Sequence, residues 1–208
     1  MHSLIAFMLP SISVPSNDPN LIDLLDGRRV RVSPVRPQDA DAERDFVGAL
    51  SLTSRYRRFH FGLRELTEEQ SRAMTEIDQH HHVAFVARPS EERAATIVAD
   101  ARYVLRADSA DAEFAIAIAD GWQGAGLGRA LLTHLLAHAR EQGLERLFGD
   151  VLWSNPAMLA LARGMGAHLM RNPGDATSVR VEFTLDAPPA THAEGKQQRL
   201  STAHHLTP

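Results

Sequence analysis

Glu113-Phe114-Ala115-Ile116-Ala117-Ile118-Ala119, then Asp120-Gly121-Trp122, then Gln123-Gly124-Ala125-Gly126-Leu127-Gly128-Arg129 form the stretch on which the fold turns. In its first part Phe114, Ile116 and Ile118 alternate with Glu113, Ala115, Ala117 and Ala119, the period of two that sends successive side chains to opposite faces of a strand. One face is bulky. The other is smooth, leaves space beside it and carries a carboxylate at its far end. In the last part, glycines let backbone N–H groups turn towards one point without interference from Cβ atoms, and a following helix adds partial positive charge at its N-terminus. A phosphate or pyrophosphate is the expected guest. A Walker loop requires Gly-Lys-Ser/Thr where this chain has Gly128-Arg129-Ala130, and the dinucleotide fingerprint requires glycine where Arg129 stands. The alternative is a purely structural glycine-rich turn, against which stands the helix stability lost to three glycines within five positions.

Outward from this stretch, Leu127 to Gln142 carries Leu127, Leu131 and Leu135 on one stripe with Leu132, Leu136 and Ala139 beside it, and Gly143 as a left-handed stop, which predicts a helix. Arg146 to Leu152 reads as a strand. Asn155-Pro156 reads as an N-cap with proline at the first helical position, Ala157 to Met165 as a helix and Val179 to Leu185 as a closing strand. Upstream, Val83 to Ala87, Thr96 to Leu105 and Glu113 to Ala119 form an antiparallel meander, with turns at Pro89-Ser90 and Asp108 to Asp111. Before it come a strand at Val30 and Val32, a helix over Asp41 to Leu50, a short helix and loop over Ser54 to Phe61, and a helix opened by the capping box Thr67-Glu68-Glu69-Gln70 and running through Met74 and Ile77. The order predicts an α/β (α+β) domain with a largely antiparallel mixed sheet flanked by helices.

The 208 residues suit one domain, and 44% hydrophobic with 23% charged residues suffices for a core. A net charge of -4 opposes nucleic-acid binding, which relies on neutralising phosphates. The absence of cysteine excludes disulfides, thiolate metal sites and cysteine nucleophiles, and a reducing cytoplasm fits. Lys196 is the only lysine, so 21 of the 22 basic residues are arginines. The apolar run Leu4 to Leu9 is too short for a signal peptide or a membrane span. Residues 1–27 therefore read as a leader, 28–185 as the folded domain, and 186–208, rich in Ala, Pro, Thr, His and Gln, as a mobile tail. No metal is expected: His80-His81-His82 are adjacent and cannot easily converge on one ion. Tyr56, Phe59 and Phe61 are expected in the core or the wall of an acceptor site, and Arg55, Arg57 and Arg58 on a solvated face or against an acidic partner.

Gln123, Gly124, Ala125, Gly126, Leu127 and Gly128 fill Q/R-x-x-G-x-G/A at a strand-to-helix junction, and so resemble the coenzyme A pyrophosphate loop of the GNAT N-acetyltransferase superfamily. The likeness covers residues 28–185. Arg55-Tyr56-Arg57-Arg58-Phe59, Glu65-Leu66, Ile77-Asp78, Ala84-Phe85-Val86-Ala87 and Glu113-Phe114 narrow it to the acetyltransferase domain of bacterial protein lysine acetyltransferases. Those are often fused to an acyl-CoA-synthetase-like or cyclic-nucleotide-binding domain, for which this length leaves no room.

The resemblance implies a GNAT-like fold, acetyl-CoA as co-substrate, and an acceptor amine that in the narrower group is a protein lysine. It implies coenzyme A contacts at Gln123 to Gly128, Arg129 and Asn155, with pantetheine along the preceding strand and the backbone N–H of Ile118 on the thioester carbonyl. Asn155 also suits a plain helix cap. Glu113 then stands where the amine arrives. A lysine amine has a pKa near 10.4, so about one in 10³ is unprotonated at neutral pH and a carboxylate that takes its proton accelerates attack. Glu113 is the expected general base, and Asp150 the second choice. Many GNAT enzymes protonate the leaving thiolate with a tyrosine; the matching position here is Ala162, so water, Ser154 or nothing specific serves. The alternative functions are a small-amine acetyltransferase and a catalytically silent acyl-CoA sensor.

Overall fold

The computed structural model describes residues 18, 20–91, 96–172 and 174–185. The apolar run at Leu4 to Leu9, the tail over 186–208 and Lys196 lie outside the described residues. Three successive antiparallel strands are built from runs rich in Val, Ala, Ile and Tyr: β3 (His82–Pro89), β4 (Ala99–Leu105) and β5 (Asp111–Ile118). Their alternation splits the core in two. Val83, Phe85, Tyr103 and Phe114 face one side, while Ala84, Val86 and Ala117 face the other.

On the first side lies α4 (Leu127–Glu141), which buries Leu127, Leu131, Leu132, Leu135 and Leu136, each contributing about 1.5–3 kcal/mol by its removal from water. Its end is the expected one, with Gly143 left-handed at φ 76°. The same side holds α5 (Pro156–Arg163), capped by the Asn155 side chain, which accepts from the Met158 N–H at 3.3 Å. The second side is covered by α1 (Ala40–Ala49), α2 (Leu52–Phe59) and α3 (Glu68–Thr75). The capping box at α3 forms as expected: the Gln70 N–H donates to Thr67 Oγ1 at 3.2 Å and the Thr67 N–H to Gln70 Oε1 at 2.9 Å. The helix stops at Thr75, short of Ile77.

With β1 (Leu21–Asp23), β2 (Arg29–Pro34), β6 (Arg146–Leu152), β7 (His168–Arg171) and β8 (Ser178–Thr184), the sheet has eight strands in the order β1-β2-β3-β4-β5-β6-β8-β7. Every neighbouring pair is antiparallel except β5 and β6, which run parallel. Two elements differ from the sequence reading. Leu21–Asp23, inside the expected leader, pair with β2 and extend the sheet edge, with Leu21 opposite Arg31 and Asp23 opposite Arg29. β7 was not anticipated: its residues are mostly exposed, so it lacks the apolar alternation that marks a strand. Among the described residues no helix is long and apolar enough to cross a membrane.

Candidate functional site

β5 and β6 pair over only three positions, Asp111 to Glu113 against Arg146 to Phe148, and then separate. The register fixes what the separation exposes. Because the Ala119 N–H donates to Val98 O and the Arg106 N–H to Asp111 O, odd-numbered β5 residues direct their backbone groups to β4. The N–H groups of Phe114, Ile116 and Ile118 therefore face the side from which β6 has withdrawn. Gly149 follows the last paired position of β6: a Cβ there would lie 2.9 Å from Phe114 O and 3.0 Å from its ring, so glycine allows β6 its close approach to Phe114 just before the two strands part.

Two cavities occupy the gap. One, of about 340 Å³, is lined by Glu113, Ala115, Gly149, Asp150 and the end of α2; the other, of about 380 Å³, by Leu25, Ile118, Gln123, Gly124, Gly126, Gly128 and α5. They share Arg57, Arg58, Ile116, Asn155 and Met158. The smooth-face residues Glu113, Ala115 and Ala117 line this space, and α2 packs across the same strand, so the room lies along the edge and part of the smooth face.

At the second cavity Gly124 and Gly126 are left-handed, at φ 78° and 89°. None of the N–H groups from Gly124 to Arg129 has an acceptor among the described residues. These six amides with the α4 N-terminus leave a cluster of unused donors of the kind that holds anions, and their number suits a pyrophosphate. Ala125 and Leu127 bury their side chains in the core and offer only backbone. Gly128 has a different reason: a Cβ would lie 3.1 Å from Ile118 Cδ1 and 3.3 Å from Leu161 Cδ2, so it allows α4, β5 and α5 to close up. Gln123 Nε2 donates to Ile118 O at 3.0 Å, holding the strand end against the loop. Arg129 is exposed and reaches Gly164 O at 3.5 Å. Leu25, 87% exposed, hangs over Gly126 with its N–H bonded to Ala125 O at 3.0 Å.

Asp120, which sequence reasoning missed, ties α2 to this loop. Its carboxylate accepts from the Ser51 N–H and Oγ, both at 2.8 Å, and from Ser54 Oγ at 2.7 Å. Partial burial would raise its pKa, but these hydrogen bonds prevail and hold it below the usual value.

At the first cavity Glu113 is exposed at the last position where β5 pairs with β6. Asp150 is not free: Arg180 grips both its oxygens, at 2.6 and 2.9 Å. Ala162, at the position of the family's tyrosine, is fully buried in the core. The arginines on either side of Tyr56 turn inward rather than forming a solvated face. Arg57 Nη2 donates to Ser154 O at 2.7 Å, Arg55 Nη1 donates to Arg64 O, and Arg58 is largely buried. Tyr56 and Phe61 instead stay about half exposed, outside the core. Arg58 leads to a buried charged cluster. Arg102 donates twice to Asp100, at 2.9 and 2.7 Å, and lies 3.4 Å from Glu43 Oε1, while Glu43 Oε2 has no partner. Burial, then the Asp100 charge, pushes the Glu43 carboxyl up to about 8 against the pull of Arg102.

His80, His81 and His82 serve a turn: all three N–H groups bond Asp78 Oδ1, which holds that carboxyl well below its usual range. No metal-binding group of side chains occurs among the described residues.

Residues 38–167 match the family model described as Acetyltransferase (GNAT) family, and the chain is 33% identical over 154 residues to Acetyltransferase PA5475 of Pseudomonas aeruginosa, covering 74% of this chain and 83% of that protein. The chain belongs to the GNAT acetyltransferase family. This GNAT domain is also 33% identical over 159 residues to Acetyltransferase Pat of Mycolicibacterium smegmatis, spanning 75% of this chain but 45% of that relative. Its fold matches the crystal structure of the GNAT domain of S. lividans PAT with a TM-score of 0.72 and 29% identity, over 79% of this chain and 96% of that one. The family's chemistry is acyl transfer from coenzyme A.

Proposed function

We propose that this GNAT domain transfers an acetyl group from acetyl-CoA directly to a primary amine, with Glu113 as general base and a lysine of a protein partner as acceptor. The observation that carries the reading is the pair of cavities joined at the parting of β5 and β6, with unused loop amides at one end and an exposed carboxylate at the other. The amides of Gly124 to Arg129 would take the pyrophosphate, the Ile118 N–H the pantetheine or thioester carbonyl, and Asn155 the wall between the cavities. The amine nitrogen attacks the thioester carbon and its proton passes to Glu113, directly or through water. The C–S bond then breaks and the thiolate takes a proton from water, since Ala162 is buried and has no acidic group. Arg180 occupies Asp150, which leaves Glu113 as the base of choice.

The likeness to the two proteins named Pat favours a protein lysine. The cytoplasm, which supplies acetyl-CoA and folded protein acceptors and suits a chain without cysteine, is the proposed location. Thiol release from acetyl-CoA, measured with an acyl-CoA synthetase, spermidine and an aminoglycoside as separate acceptors, tests it. Acetylation of one or few lysines on the synthetase supports the proposal. Turnover of the small amines alone replaces the acceptor, and tight acetyl-CoA binding without transfer to any of them favours a sensor.

A further inference from the structure

Acyl transfer has to occur where the two cavities meet, because the thioester arrives from one and the amine from the other. Five residues line both: Arg57, Arg58, Ile116, Asn155 and Met158. The tetrahedral intermediate formed there places a full negative charge on the former carbonyl oxygen, so donors that are otherwise unused are the groups to look for. Ile116 offers its backbone N–H, and the Met158 side chain has no donor. Asn155 uses its side-chain oxygen to cap α5 and keeps its Nδ2 as a neutral donor, while Arg57 spends its Nη2 on Ser154 O and has its Nε sealed.

Arg58 is different. Among the described residues its guanidinium makes no hydrogen bond; the nearest carboxylate oxygen is Asp100 Oδ1, 3.9 Å from Nη2. The Nε atoms of Arg55 and Arg57 are sealed and unpartnered, whereas Arg58 lines both cavities and none of its guanidinium nitrogens has a hydrogen-bond partner among the described residues. Its side chain is nonetheless only 13% exposed and is packed on the Phe59 ring, with 4.8 Å from Cζ to the centroid. Asp100 on β4 and Glu43 on α1 attract it, Arg102 on β4 repels it, and Glu113 on β5 lines the same cavity. A cation held this way is preorganised: it is anchored by charge at its back and needs little rearrangement when negative charge develops in front.

We propose that Arg58 is a catalytic residue that donates a hydrogen bond to the thioester carbonyl oxygen as it becomes an oxyanion, alongside backbone N–H of β5. The inference rests on the acyl-transfer reading given above. Arg58 moves no proton. It stabilises the oxyanion while the N–C bond forms, the amine proton goes to Glu113 or water, and the C–S electron pair leaves on sulfur.

The test is Arg58→Ala and Arg58→Lys in the full chain, with kcat and KM from thiol release and the Kd of acetyl-CoA from calorimetry. Expected for Arg58→Ala is a fall in kcat of about 10²-fold, the size found for losing one oxyanion donor. Acetyl-CoA Kd should stay within about 3-fold, and added methylguanidinium should restore about 10-fold of the lost rate, which a purely structural role would not allow. If Arg58→Ala does not fold, Arg58→Lys carries the test: it keeps the charge beside Asp100 but loses the planar fork, and a kcat drop of about 10-fold at unchanged thermal midpoint is expected. Wild-type kcat in either folded variant, a change confined to the acceptor's KM, or a folded Arg58→Ala that methylguanidinium does not rescue would each overturn the proposal. If the wild type itself binds acetyl-CoA but releases no thiol with any acceptor, the acyl-transfer reading and this inference fall together, whereas the other outcomes remove only Arg58.

Discussion

At one end of the cleft the molecule presents backbone: six amides from Gly124 to Arg129, turned outward by two left-handed glycines and the start of α4. At the other end it presents side chains: Glu113 on β5, Arg58 on α2 and behind them Asp100, Arg102 and Glu43 from β4 and α1. The first end is local. Its parts follow one another along the chain, and replacing one side chain there matters chiefly through Cβ and φ. The second end is assembled across the fold, with Arg102 and Glu43 separated by 59 positions, and each replacement changes a charge or a donor. The proposed binding by backbone is therefore tied to glycine spacing, while the proposed chemistry is tied to tertiary packing.

The comparison can be broken at its firmest point by Gly126→Val. A β-branched residue at φ 89° is strained and would press on Leu25, 3.4 Å from the added Cβ, so the loop cannot keep its shape. Acetyl-CoA affinity should drop by more than about 100-fold in calorimetry while the far-ultraviolet dichroism of the domain persists, because a nest of amides binds only when all of them converge. Unchanged affinity would show that the backbone end does not bind the ligand. Gly128→Val is a less clean probe, since that residue separates α4 from Ile118 and Leu161.

Glu113→Gln addresses the opposite end. Turnover should fall by about 10²-fold, the loss expected for a general base, with acetyl-CoA affinity unmoved. A variant with the wild-type pH–rate profile would place the base elsewhere.

Glu43→Gln asks what the buried cluster costs. The Glu43 carboxyl, pushed up to about 8 in the fold from an ordinary value near 4.5, binds a proton more tightly folded than unfolded. Its contribution to stability is thus fully present below about 4.5 and is lost as pH rises through about 8. The wild-type melting temperature should fall by about 5 °C more than that of Glu43→Gln between roughly pH 5 and pH 9, with the two proteins nearly equal at the acid end. Parallel curves would mean that Glu43 is ionised throughout.

The smallest effect is assigned to Leu25→Ala. This side chain stands out into solvent over the loop, so its loss should leave the melting temperature alone and weaken acetyl-CoA about 3-fold, as expected for partial cover of one apolar side chain. An unaltered Kd would confine binding to the glycines themselves.

The same contrast decides what could be read from the sequence. The α4 leucine stripe with its Gly143 stop, the Thr67 capping box and the Asn155-Pro156 helix start all depend on neighbours within a turn or two, and each appears where the spacing puts it. β7 escaped because exposed residues carry no alternation, and β1 because three residues are too few to show a period. In the site, Gln123 and the glycines were legible as a motif. Asp120 lies three residues before Gln123, yet its partners Ser51 and Ser54 are far away in sequence. Arg57 and Arg58 read as a solvated face since α2, an eight-residue helix of mostly polar residues, gives no pattern that says which arginine turns inward. Gly149 had a signal available, a lone glycine within a strand, which marks a bend or a close approach of another backbone.

The three-position seam between β5 and β6 has a bearing on how the molecule yields. On one side of it β1 to β5 form one continuous antiparallel ladder, and on the other β6, β8 and β7 form a second. Within the sheet, the parallel pairs Asp111 with Arg146, Ala112 with Leu147 and Glu113 with Phe148 are what joins them, with α4 bridging alongside. Beyond that narrow joint the two ladders are held together by one shared apolar core, in which Phe114 packs on Phe183 with ring centroids 5.9 Å apart, so disturbing that core should let their opening free energies diverge. A thioester lodged in the parting, as proposed above, would touch both ladders at once and tie their opening together, so its occupancy would fasten the fold mechanically as well as begin the proposed reaction.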